Sequence, residues 1–354
     1  MRLQLQAGMT LLAWGLAGGS MSATLAGCQG DDSSAAPTTD ASTARDSSST
    51  SDARTEGGGA APTFLAHING NPEGLWQVTA GSPIVSIAGG ATLLTVSGGN
   101  TTTFSSLAGE AGALNTFTLG ITSDTAGNVY VAVAATGATP NPAPGIYKIP
   151  AGGGAATIFS AASAVTPAMN FANGLDFMGG NLYVADSNGT IYKVGSTGTA
   201  SVWATGPLLA PDPMMLACGG FPFAIGANGI VHDTSAFYVA NTNYGRLIKI
   251  PIQTDGSAGT ATALVDNCDM KGADGLAFDT ATNSVLVAVN IQNRIERISL
   301  TGQRTVLFQG APLDAPASIF IDTSASARRL LITNAAFFDT DPTAAQPGLL
   351  AMPL

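Results

Sequence analysis

Asn173, Asn228 and Asp274 are the residues of this sequence whose types and spacing could do chemistry. Each stands directly before a glycine at the head of a short apolar strand, in the strings ANGLDF, ANGIVHD and ADGLAFD. Two carboxamides and a carboxylate, brought together, supply hard oxygen donors of the kind calcium accepts. The same pairs are also favoured in turns, because Asn and Asp hydrogen-bond local backbone and tolerate left-handed dihedrals. A metal site and plain turn chemistry are therefore both open. The choice depends on whether the chain brings these positions together.

A repeated module supplies the means. FANGLDFMGGNLYVADSNGTIYKV reads as three strands separated by turns, and its order recurs in TLGITSDTAGNVYVAV, GANGIVHDTSAFYVANTNYGRLIKI, ADGLAFDTATNSVLVAVNIQNRIERI and PASIFIDTSASARRLLITNA. The small residues of the first strands (Gly120, Gly174, Gly229, Gly275 and Ser318) lie about 43–55 residues apart, the period of propeller blades. The fold class is all-β, a β-propeller of six four-stranded blades, with strands A (innermost) to D in each. FLAHINGNPEGLWQVTAGSPIVSIAG reads as strands B, C and D of the first blade, which places Trp76 on strand C, and the last blade ends after its third strand, GLLAMPL. Closure must then pair strands from the two chain ends, since an open edge leaves backbone groups unpaired. Residues 90–116 fit either strands of the first blade or an inserted hairpin, which keeps five or seven blades in play.

In this arrangement the residue before each small residue faces one mouth of the central channel: Leu119, Asn173, Asn228, Asp274 and Ala317. Residues of the B–C loops surround the same mouth, namely His67, Asp186, Asn241, Asn290 and Asn334. His67 is a candidate general base because an imidazole ordinarily titrates near neutrality, although a lone strand histidine also reads as structural. His232, further into its strand, reads as packing or as exposed on the far face. Trp76 and Trp203, on strands C and D, read as packing between blades.

Residues 1–27 read as an export signal: one charge at Arg2, an apolar run through Leu11, Leu12 and Trp14, then small residues before Cys28. Leu25-Ala26-Gly27-Cys28 resembles the bacterial lipobox, which implies a lipid anchor on Cys28. Residues 28–62 have no aromatic or branched aliphatic residue after Cys28 and read as a disordered tether spanning roughly 30 Å. Residues 63–354 form the propeller. The sequence predicts a monomer of the bacterial envelope, held to the membrane through Cys28 and meeting a small molecule or an envelope protein. A formal charge of −10 lacks the basic footprint of a nucleic-acid binder. Export places Cys218 and Cys268 where disulfides persist, and both fall in loops leading into consecutive blades. A disulfide between them is expected, with two free thiols as the alternative.

The modules resemble the senescence marker protein/gluconolactonase family, six-bladed propellers that include regucalcin, and more loosely NHL repeats, through the strings GLAFD and LYVAD. The resemblance implies calcium or zinc at the channel mouth, held by Asn228 and Asp274, with Asn173 facing substrate beside the ion. It also implies a first-blade glutamate, for which this reading finds no match before FLAHI, with Glu56 and Glu73 falling elsewhere. The implied chemistry is hydrolysis of a lactone or ester, with Asp274, or His67, activating water and with Asp186 and Asn241 available for substrate. The competing reading is a non-catalytic propeller that holds a ligand or a protein. No GxSxG, HExxH, P-loop or CxxC pattern is present, and a quinone-linked oxidoreductase would want more basic and histidine residues.

Overall fold

The computed structural model describes residues 54–55, 60–78, 81–109, 112–339 and 345–354, all within the unit Asp52–Leu354. The signal segment, Cys28 and most of the tether lie outside the described residues. Two short strands, β1 (Arg54–Thr55) and β2 (Thr63–His67), precede the first innermost strand. Blade one is then β3 (Asn71–Gln77), β4 (Pro83–Ala88), β5 (Thr92–Ser97) and β6 (Asn100–Ser106). Blade two is β7 (Thr116–Ser123), β8 (Val129–Ala135), β9 (Gly145–Ile149) and β10 (Thr157–Ala161). Blade three is β11 (Ala172–Met178), β12 (Asn181–Asp186), β13 (Thr190–Val194) and β14 (Ala200–Thr205). Blade four is β15 (Ala227–His232), β16 (Ala236–Asn241), β17 (Arg246–Pro251) and β18 (Thr262–Asp266). Blade five is β19 (Ala273–Asp279), β20 (Ser284–Val289), β21 (Arg294–Ser299) and β22 (Arg304–Gln309). Blade six is β23 (Pro316–Asp322), β24 (Arg329–Asn334) and β25 (Gly348–Pro353), completed by β2.

The six-bladed propeller is thus the fold, and its closure joins the two ends of the chain. Strand β2 pairs antiparallel with β25, Thr63 opposite Ala351 and His67 opposite Gly348. This corrects the expected register of the first blade by two strands. FLAHI is the outermost strand of blade six, NPEGLWQ is the innermost strand of blade one, and PIVSIA is its second strand. Residues 90–116 supply strands C and D of the same blade, where β5 and β6 pair from Thr92↔Ser106 to Ser97↔Asn100. The misreading has a physical source. Asn71-Pro72-Glu73-Gly74 carries turn chemistry and no apolar alternation, whereas β6 is a largely exposed Thr-rich edge. Within the tether region, Arg54–Thr55 adds a parallel strand to the outer edge of blade five, Arg54 opposite Thr305.

Apolar alternation along each strand buries side chains on both faces of every blade, and the result is one core cluster at each interface. Leu119, Tyr130, Val184 and Tyr192 join blades two and three, Tyr183, Ile230 and Phe237 join three and four, and Leu75, Val85, Leu331 and Leu349 seal six against one. Trp203 packs edge-on against Tyr183 and Phe237 at 5.4 and 5.1 Å, the inter-blade role its strand predicts. Trp76 lies on the innermost strand, not on strand C.

Cys218 and Cys268 form a disulfide, with Cα atoms 5.0 Å apart across 50 residues of sequence. It staples the connection between blades three and four to the one between blades four and five. Cys218→Ser is expected to remove roughly 2–4 kcal/mol of stability through loss of that loop constraint. The melting temperature should fall by several degrees under oxidising conditions and match the parent under reducing ones; equal melting in both would show that the bridge contributes nothing.

Candidate functional site

The corrected register places Glu73 directly before Gly74 at the head of β3, the same position that Asn173, Asn228 and Asp274 occupy in blades three, four and five. Leu119 and Ala317 fill the remaining two positions. These innermost strands pack so closely that the glycine after the ring position in blades one to five has no room for a side chain, and blade six has the small Ser318 there. A Cβ on Gly74 would sit 2.2 Å from the Leu119 carbonyl oxygen, one on Gly120 2.4 Å from that of Asn173, one on Gly174 2.2 Å from that of Asn228 and one on Gly229 2.2 Å from that of Asp274. The glycines are therefore required by backbone approach between blades. The ring residues lie on strands, so turn formation does not account for them.

Hydroxyls on the second strands hold this ring. Ser86 Oγ donates to the Leu119 carbonyl at 2.7 Å, Thr242 Oγ1 to that of Ala273 at 2.8 Å and Thr333 Oγ1 to that of Glu73 at 2.8 Å, each reaching into the next blade. The carboxamides are oriented in the same way: Asn173 Nδ2 donates to Ser187 Oγ at 3.2 Å and Asn228 Nδ2 to Thr242 Oγ1 at 2.9 Å. Asn228 also hydrogen-bonds the Asp274 carboxylate of the next blade, so the carboxamides are oriented by their own blades and by the neighbouring ring residue. Asn290 Nδ2 donates to Asp274 Oδ2 at 3.0 Å.

Glu73, Asn173, Asn228 and Asp274 are buried, none more than 6% exposed. Burial, with the nearby charge of Asp274, holds the Glu73 carboxyl well above the usual carboxylate range. Burial likewise pushes Asp274 up to about 7, against the hydrogen bonds from Asn290 and Asn228 that favour its charged form. Glu73 Oε2 is buried without a hydrogen-bond partner, a costly condition that a bound cation would relieve. Two carboxylates and two carboxamide oxygens, with no His or Cys in the ring, form a hard, all-oxygen donor set that fits calcium better than zinc. Among the described residues no group of three or more His, Cys, Asp or Glu is placed to hold a metal ion, and the ring itself brings two carboxylates together.

Other expected site residues are placed differently. His67 is exposed on the outermost strand of blade six, stacked on Phe64 at 4.3 Å, and does not reach the mouth. Asp186 accepts from the Phe171 and Asn188 backbone N–H groups, both at 2.9 Å, and Asn241 donates to the Leu208 and Ala210 carbonyls, both at 2.8 Å. Both are spent on fixing the loops around the ring, and the neighbours Ser187 and Thr242 make the contacts to ring side chains. The connection before β15 and the loop after β24 meet on this side of the channel, where the rings of Phe221 and Phe338 lie 6.2 Å apart, edge to face. Sequence reasoning missed Glu73, and it missed two residues that line the channel downstream of the ring: Trp76, and His232, whose Nδ1 lies 2.5 Å from Asp176 Oδ2. The signal for Glu73 was present, because Gly74 lies about 46 residues before Gly120, within the spacing of the other modules.

Residues 224–336 match the family model of the SMP-30/gluconolactonase/LRE-like region, a stretch that contains Asn228 and Asp274. Among solved structures, the fold is similar to a calcium-binding regucalcin from Agrobacterium tumefaciens, at 18% identity and a TM-score of 0.60, over 83% of this chain and 93% of that one. It is also similar to a luciferin-regenerating enzyme at 16% identity and a TM-score of 0.59, over 83% and 96% of the two chains. A gluconolactonase from Xanthomonas campestris matches at 14% identity and a TM-score of 0.57, over 82% and 88%. No curated protein matches the sequence significantly. The chain therefore has the six-bladed fold of gluconolactonase-type propellers.

The raised carboxyls give the cation-free protein a characteristic pH dependence. A carboxyl that holds its proton more tightly folded than unfolded favours the folded state at low pH, and that advantage is lost as pH rises towards the folded value. The melting temperature without divalent ions should therefore fall between about pH 4 and pH 7 on account of Glu73 and Asp274, and calcium should restore it at pH 7. A calcium-free profile that rises through this window in the parent and in Asp274→Asn alike would contradict the arrangement.

Proposed function

We propose that this protein is a calcium-dependent hydrolase of lactones or esters, held in the bacterial cell envelope through a lipidated Cys28. The single observation that carries this reading is Glu73, which completes with Asn173, Asn228 and Asp274 an oxygen-lined ring at the head of the channel. The resemblance to gluconolactonase-type propellers supports the reaction class, and the lipobox-like segment supports the location.

Glu73, Asn228 and Asp274 would hold the ion, with Asn173 beside it toward substrate. Calcium, if held there, would supply Lewis acidity towards a substrate carbonyl. The protein's own part is positioning and proton transfer. The hydroxyls of Thr333 and Thr242 fix the ring backbone, and Ser187 and Thr242 aim the carboxamides. Asp274, held by Asn290 on Oδ2, is the ring carboxylate placed to take the proton of an attacking water. The approach past Phe221 and Phe338 suits a substrate with an apolar portion beside its ester group.

Calcium titrated calorimetrically into the full chain is expected to bind at one site with micromolar affinity, and Glu73→Gln or Asp274→Ala should each weaken binding at least about 100-fold. Hydrolysis of a lactone and aryl-ester panel should be abolished by chelator and by Asp274→Ala. Calcium binding without turnover of any of these would leave a ligand-binding propeller in place of an enzyme; absence of binding would remove the metal reading altogether.

A further inference from the structure

The ring and the channel downstream of it line one cavity of about 270 Å³, walled among the described residues by the innermost strands alone. Two or three residues past the small ring residue, the strands contribute Trp76 from blade one, Asp176 from blade three, His232 from blade four, Phe278 from blade five and Phe320 from blade six. Trp76 and Phe320 meet edge to face at 5.2 Å, and Trp76 Nε1 is anchored on Ser123 Oγ at 2.9 Å. This end is thus an aromatic chamber with one polar pair set into its wall. Asp176 Oδ2 lies 2.5 Å from His232 Nδ1, and Asp176 Oδ1 accepts from the Phe177 backbone N–H at 2.8 Å.

That pair has a defined polarity. The carboxylate can only accept, so Nδ1 carries its hydrogen and Nε2 is the atom left for a ligand. Burial works against the proton on His232, but the hydrogen bond and charge of Asp176, together with the charge of Asp233, raise its affinity for protons above that of a free imidazole. When the imidazole is protonated, Nε2 is an N–H donor and the imidazolium carries positive charge. The His232 side chain is 29% exposed and that of Asp176 12%, so the imidazole can be reached while its partner is sheltered. Glu73 and Asp274 stand at the opposite end of the same cavity.

We propose that this end of the channel is a second small-molecule site that takes a planar aromatic carboxylate, its ring among Trp76, Phe278 and Phe320 and its carboxylate on His232 Nε2, with Asp176 fixing the imidazole. The volume is below that of drug-sized pockets and suits a single-ring compound. The aromatic walls supply stacking and edge contacts, and the imidazolium supplies a charge-assisted hydrogen bond. The site uses none of the ring oxygens for the ligand, although ring and site share one cavity.

Benzoate titrated into the full chain in the presence of chelator is expected to bind at one site with Kd on the order of 0.1–1 mM and to quench Trp76 fluorescence. His232→Gln should weaken it about tenfold or more, and so should Asp176→Asn/His232→Gln, which leaves no unpaired carboxylate and whose melting temperature reports that the fold is kept. Benzyl alcohol, with the ring but not the charge, should bind similarly more weakly than benzoate. Absence of saturation at about 10 mM, equal affinity in a folded His232 variant, or binding that requires calcium would each overturn the proposal. The last result would place benzoate on the ring ion, which the calcium titration reports separately.

Discussion

The close approach of the innermost strands governs this molecule. Where the Cα of Gly74, Gly120, Gly174 or Gly229 meets the next blade, a carbonyl oxygen stands where a Cβ would be. One residue earlier, side chains line the channel and are almost wholly buried. Any polar group placed there is buried by the architecture itself, and the chain places two carboxylates and two carboxamides in that position. The costs of burial appear as the raised pKa values of Glu73 and Asp274 and as the unpartnered Glu73 Oε2. An arrangement this unfavourable in the absence of a cation is readily explained by a role in holding one.

The same geometry separates the two ends of the channel. Upstream of the glycines lie the loops, with Asp186, Asn241 and the disulfide fixing their backbones and Phe221 and Phe338 meeting above. Downstream lie side chains of the innermost strands only, among them Trp76, Phe320 and the Asp176–His232 pair. Hard oxygen donors face one end and aromatic surface with one imidazole faces the other, so the two ends favour ligands of opposite chemistry.

Much of this was legible in the sequence. Blades two to six follow from the spacing of small residues and from the apolar strands around them, and the closure and the Cys218–Cys268 bridge follow from edge pairing and from loop position. Three of the four polar ring residues were found through the Asn-Gly and Asp-Gly pairs. Glu73 was not, because Asn71-Pro72-Glu73-Gly74 is locally a turn sequence that becomes a strand only through its neighbours in blades two and six. The apolar run FLAHI was correctly a strand but belongs to the far end of the chain's own circle, and only tertiary pairing with Gly348–Pro353 reveals that. His67 was misplaced by the same slip. Asp176 and His232 come together across two blades, a pairing that spacing along the sequence does not encode.

The most direct test is a crystal structure of the protein grown with calcium and, separately, with a lanthanide whose anomalous signal locates the ion. The account predicts one ion on the channel axis, with Glu73, Asn228 and Asp274 oxygens at about 2.3–2.6 Å and Asn173 beside it. An ion bound elsewhere with Glu73 turned away, or an empty ring at saturating calcium, would contradict it.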